Sequence, residues 1–304
     1  MKKKKDLKLS FLYQIIVAFL LTATLSIAVT NSMITGDVFY VSDPVKSVYV
    51  LPQPQLEIIS PEIKPEYRLA QIDVFQFVIS FFIATALMFF FLKKFKGKFF
   101  FEFFFSGAII FGAQGPFGLF LPQLYAFFVA VALVIFRFIY PRIWTQNIII
   151  IIGISGVAAS LGVNMNPIFV IIILILLSFY DIIAVYKTRH MVNLFKGMAE
   201  KGAVLALIIP QNILLWKDKF NIIKNKNRNE FIFLGTGDIA LPLFFAASAF
   251  SSGLNVSVAI ILGAVIGLVV DHIFFVTQKE KKAMPALPAI AFFAIAGYVV
   301  SFYL

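Results

Sequence analysis

Apolar positions in this chain come in long unbroken runs, without the alternation of a half-buried strand or the one-sided stripe of a soluble helix. A helix needs about 20 apolar residues to cross a hydrocarbon core about 30 Å thick. Runs of that length predict nine spans, at 11–31, 73–92, 99–116, 121–140, 145–163, 167–186, 231–252, 255–276 and 285–303. Gly112, Gly115, Pro116 and Pro122 blur the boundary between the third and fourth. Without alternation, a strand barrel is excluded. The expected fold is therefore all-α, a polytopic bundle of about nine transmembrane helices. Its parts are a six-helix region at 1–186, a loop at 187–230 and a three-helix region at 231–304. The first run follows MKKKKDLKLS, as a signal peptide would, but it is longer than a signal core and has no small-x-small cleavage site. It reads as a retained first span.

Composition agrees with the pattern. Hydrophobic residues make up 61% of the chain and charged residues 13%, against roughly half and a quarter in soluble domains. Charge then orients the bundle. Of the 26 Lys and Arg residues, all but Lys46, Lys64 and Arg68 fall at the N-terminus or in alternate loops. Such an excess marks the cytoplasmic side, so the N-terminus and the 187–230 loop are expected inside and the C-terminus outside. The net charge of +11 is thereby explained by topology, and no basic domain is left over for nucleic acid. Lipid is the implied surrounding. With no Cys and two His, neither a metal site nor a cofactor is expected.

Polar residues inside the apolar runs carry the candidate chemistry. Asp181 lies in IIILILLSFYDIIAVY and Asp238 in FIFLGTGDIALPLFFAASAF. A carboxylate at membrane depth costs at least about 2.5 kcal/mol and is by default functional. Asp181 stands five residues before the end of the sixth span and Asp238 seven after the start of the seventh. At 1.5 Å per residue, these are depths of roughly 8 and 10 Å from the same edge. Adjacent packing of these antiparallel spans brings the two acids face to face. Two carboxylates so placed share one proton and titrate as a pair. The pair fits an aspartic protease, but also a proton or cation relay in a transporter or channel, or a structural acid capped by Tyr180. Asp271 and Glu102, near cytoplasmic ends, read as interfacial and solvated. Within the inner loop, AVLALIIPQNILLW is too short to span and fits either the interface or a strand packed on the helices.

Three short motifs surround the pair: Tyr180-Asp181, Gly235-Thr236-Gly237-Asp238, and Pro285-Ala286-Leu287 at the last span. Taken together and in this order, they make the chain resemble the presenilin and signal peptide peptidase family of intramembrane aspartyl proteases. That family carries YD, GxGD and PAL on its sixth, seventh and ninth spans. The resemblance implies that Asp181 and Asp238 are the catalytic dyad, supported by Tyr180, Gly235, Thr236, Gly237, Pro285, Ala286 and Leu287. It also implies substrates that are themselves transmembrane helices. The glycines would let a substrate backbone approach, and the prolines would keep the start of the last span non-helical. Thr236 stands where the animal members usually have Leu. The short length, the inferred N-inside orientation and YKTRHM after Asp181 resemble the archaeal homologues, which implies a prokaryotic cell membrane. A helical substrate must unwind to be cut, and strand addition would satisfy its backbone. The candidate edges are Ala203–Ile209 and Pro285–Pro288.

Overall fold

The structure, a computed structural model, describes residues 2–36, 83, 98–187, 206–210, 213–218, 231–278 and 284–303. The second span, at 73–92, lies outside the described residues apart from residue 83. Among the described residues eight helices are seen: α1 (Lys2–Thr35), α2 (Lys98–Gly118), α3 (Gln123–Ile139), α4 (Ile143–Gly162), α5 (Pro167–Ile182), α6 (Thr236–Ser248), α7 (Leu254–Thr277) and α8 (Leu287–Val300). Four stretches there are long and apolar enough to cross a membrane, namely Ser10–Thr35, Ile143–Gly162, Pro167–Lys187 and Leu254–Thr277. The chain is a mostly helical, multi-pass membrane protein.

Helix α1 is no loose anchor. Phe11, Ile15, Phe19 and Ala23 lie on one face at helical spacing and are buried, Phe19 completely. They join a single core that runs through α4, α6, α7 and α8 and includes Ile150, Leu243, Phe245, Ile260 and Ile290. The α2–α4 crossing is closer still. A Cβ on Gly112 would strike the backbone of Gly153, and one on Gly156 would strike that of Gly112. Small residues permit such contact where no hydrophobic effect operates between helices in lipid. Arg137, only 8% exposed, is held at the end of α3. Its Nε donates to Gln146 on α4, and its guanidinium lies 5.0 Å from the Phe105 ring centroid on α2.

The all-α expectation needs one correction. Strands β1 (Ala206–Pro210) and β2 (Phe231–Gly235) form an antiparallel pair in which Ile208 lies opposite Phe233. The run at 231–252 is therefore not one helix: it opens as a strand, turns helical at Thr236 and closes in a 3-10 turn at Phe250–Ser252. Gly235 and Gly237 weaken helix at the junction, and pairing with β1 draws the segment before them into extended form. All of β1 is buried.

The edge of β1 away from β2 is closed. Asn147 on α4 donates from Nδ2 to the carbonyl of Ile208 at 2.7 Å, and its Oδ1 accepts the Ile208 N–H at 2.9 Å. Two residues on, Pro210 has no N–H, and its carbonyl accepts from Gln14 Nε2 at 3.3 Å. Gln14 in turn accepts from the Trp216 indole at 2.9 Å. Replacing Asn147 with Ala would strand two buried backbone groups, each costing about 1–3 kcal/mol. A lower melting temperature in detergent is the expected result, and an unchanged one would mean that this clamp contributes nothing.

Candidate active site

Helix α5 delivers Asp181 at its last turn, just before a π-helical turn at Ile183–Lys187. Such wide turns cluster at functional sites because they re-aim the side chains beside them. Asp181 is 7% exposed, whereas its neighbour Tyr180 is 55% exposed. Consecutive helical residues point about 100° apart, so the two side chains cannot share one environment.

The carboxylate of Asp181 meets the start of α8. Its Oδ2 accepts the backbone N–H of Leu287 at 3.4 Å. Residues 284–286 are non-helical, and Leu287 is the first residue of the helix. Its N–H is therefore one of the donors that a helix start leaves without an internal partner. Pro288 follows with no N–H of its own. Pro285 and Leu287 are buried and Ala286 half-buried.

Asp238 is the third residue of α6, whose N-cap is Gly235 with φ −59° and ψ 141°. Its carboxylate reaches back to accept the Gly235 N–H, which is half of a capping box. The helix N-terminus also favours a negative group in its first turn. The fit at Gly235 is tight, since a Cβ there would lie 2.8 Å from Asp238 Oδ2. Gly237 differs: it is exposed, and a Cβ would meet nothing within 4 Å. Thr236, the first helical residue, is half-buried. The strand–helix junction thus sets Asp238 at the mouth of open space.

The charges of Asp181 and Asp238 interact across the gap between α5 and α6. A third carboxylate, Asp271 on α7, interacts with both. Its Oδ1 is buried with no hydrogen-bond partner among the described residues. Asp271 as a whole is half-buried, so its buried Oδ1 departs from the interfacial, solvated reading while the rest of the side chain does not. Its depth was legible: Asp271 stands six residues before the end of α7 at Thr277, or about 9 Å along the axis, close to the count for Asp181.

Beside the carboxylates, an apolar groove of about 580 Å³ runs between α5 and α8, lined by Ile175, Phe179, Ile182, Pro288, Ala291 and Val299 among others. Pro288 adjoins Leu287 and Ile182 adjoins Asp181 in the chain, so one end of the groove reaches the level of Asp181.

Comparison with known proteins bears on the family and the fold. The family model described as signal-peptide peptidase, presenilin aspartyl protease matches residues 50–304. Two crystal forms of a presenilin family intramembrane aspartate protease, in C222 and P2 space groups, are similar in fold, each with a TM-score of 0.57. They are 20% and 19% identical to this chain, covering 95% of it and 96% of their own length. No curated protein matches.

Proposed function

The chain belongs to the signal-peptide peptidase and presenilin family of aspartyl proteases and is an intramembrane aspartic protease, and from that premise we propose that Asp181 and Asp238 are its catalytic pair. One observation carries the assignment: two acids from antiparallel helices, 57 positions apart, interact by charge beside the helix start that bears the third motif. In the working state one carboxylate is ionised and the other protonated. The ionised one takes a proton from a water as that water attacks the scissile carbonyl. The protonated one hydrogen-bonds the carbonyl oxygen and stabilises the charge that develops there. The proton taken from the water then passes to the leaving nitrogen as the tetrahedral intermediate collapses and its C–N bond breaks.

Family membership implies transmembrane proteins as substrates. Three features support a route for such a helix. The α5–α8 groove is apolar, as a lipid-borne segment requires. Open space before Gly237 leaves room for a backbone next to Asp238. And because Asn147 and Gln14 occupy the outer edge of β1, a substrate strand would add on the β2 side or along Pro285–Pro288. The Leu287 N–H already presents one donor there. Tyr180, half-exposed next to the buried Asp181, would present its ring to substrate or lipid.

The N-inside topology remains our reading from loop charge. It places Asp181, five residues before the end of its span, roughly 8 Å from the cytoplasmic edge. A reporter transmembrane peptide with its N-terminus outside should then be cut near its cytoplasmic end. Glycines placed there should speed cutting, because opening the helix becomes easier by up to about 1 kcal/mol per residue. A mass-spectrometric product map of purified enzyme and peptide checks both. Cuts in the outer third of the helix would overturn the depth and topology.

A further inference from the structure

We propose that Asp271 is a positioning residue of this active site, a third carboxylate that shares protons with the Asp181–Asp238 pair and sets the upper pH limit of cleavage. The inference rests on the dyad assignment and extends it.

Helix packing brings Asp271 there. Helices α7 and α8 run antiparallel in a regular register recorded by glycines. A Cβ on Gly297 would lie 3.4 Å from Ile260 Cα, one on Gly263 would lie 3.2 Å from Ala294 Cα, and one on Gly267 would lie 2.6 Å from Ile290 Cα. Steps of three and four residues along α7 are thus answered by equal steps back along α8. Residues four apart share one helix face, so Asp271 is the next member of the series Gly263, Gly267. The residues facing it are the next step back from Ile290, Pro285–Leu287. Leu287 is the residue whose N–H holds Asp181. Asp271 therefore descends onto the same short segment that supports one half of the dyad.

Its surroundings do not satisfy it. Oδ1 is buried and has no hydrogen-bond partner among the described residues. Among the described residues, the charged groups facing it are Asp181 from α5 and Asp238 from α6, both of its own sign. Helix α8 carries no charged residue, nor does the 3-10 turn at Phe250–Ser252. Between Ser10 and Thr35, helix α1 has Tyr13 as its one titratable side chain, and that is 71% exposed. On α7 itself His272 is buried, about 100° round the helix from Asp271. Among the described residues no group of acids and histidines is arranged to hold a metal ion.

Three like-charged groups in one poorly solvated place cannot titrate independently. An ionised Asp271 makes the shared proton of the dyad harder to lose. It thereby keeps the singly protonated, working state populated to higher pH than two acids alone would allow. Without that charge the pair sheds its proton sooner.

The test is the pH profile of peptide cleavage by wild type, Asp271→Asn, Asp271→Ser and Asp271→Glu, with melting temperature recorded for each. Two neutral side chains of different size guard against one failing to fold. Asp271→Asn and Asp271→Ser should still cut, with the high-pH limb moved down by about one unit. Asp271→Glu should return the limb to its wild-type place. A rate that falls by the same factor at every pH, with the limb unmoved in both neutral variants, would overturn the proposal and leave Asp271 a packing residue. Asp181→Asn and Asp238→Asn, assayed alongside, separate the two layers. Should those variants still cut, the dyad assignment itself falls. If they are inactive while the Asp271→Asn limb stays in place, this inference alone falls.

Discussion

Asp181→Asn and Asp238→Asn should each abolish cleavage, with a loss on the order of 10⁴-fold, while the protein remains folded. The amide is nearly isosteric with the acid. Its side-chain oxygen can still accept the Leu287 N–H in the first variant and the Gly235 N–H at the start of α6 in the second. What the amide cannot do is take a proton from water or share one with its partner. Because the two acids act as a unit, the double variant should be no worse than either single one. Melting curves close to wild type establish that chemistry, and not folding, was lost. Substantial cleavage by either single variant would sink the assignment.

The second large effect is expected at the glycines, where two neighbours should behave differently. Gly235→Ala puts a methyl 2.8 Å from Asp238 Oδ2, well inside contact distance. The Asp238 carboxylate must move, losing the Gly235 N–H and its alignment with Asp181. A misplacement of about 1 Å at a reacting group costs on the order of 100-fold in rate. The loss should appear in kcat, since substrate binding does not depend on that carboxylate alone. Gly237→Ala meets nothing within 4 Å among the described residues, so the fold should tolerate it. Any loss there belongs to substrate, and should appear in KM for peptides that need close backbone approach. If Gly235→Ala were as active as wild type, the back-bonded position of Asp238 would not be the one used in catalysis.

Much of this site can be read from residue order and depth. The motifs at 180–181, 235–238 and 285–287 mark it, and counting residues from the span ends puts Asp181 and Asp238 toward the same side of the bundle, although the strand at Phe231–Gly235 rises faster per residue than the helix that count assumes. Other features resist such reading for physical reasons. FIFLG at 231–235 is continuously apolar, and a short apolar run fits a buried strand as well as a helix segment. What decides is its partner ALIIP, which lies more than 20 positions away and is itself too short to span. The clamp by Asn147 is hidden for the same reason, since nothing near it in sequence shows that it faces the backbone of Ile208. Tyr180 adjoins Asp181 in the chain yet is 55% exposed where Asp181 is buried, because a helix turns successive side chains apart. Asp271 is the opposite case. Its depth matches that of Asp181 by the same arithmetic, yet nearness to the loop end favours a solvated reading until the α7–α8 register is known.

The central claim is that Asp181 and Asp238 surround one tetrahedral centre. The most direct test is the affinity of a peptide isostere bearing a hydroxyl in place of the scissile carbonyl, measured by calorimetry on wild type, both single Asn variants and the double variant. Mimics of a transition state bind at least about 100-fold tighter than the matching substrate. The account predicts tight binding to wild type, a loss of at least about that factor in each single variant, and no further loss in the double. Undiminished binding to either single variant would show that its aspartate does not touch the reacting centre, and would contradict the account.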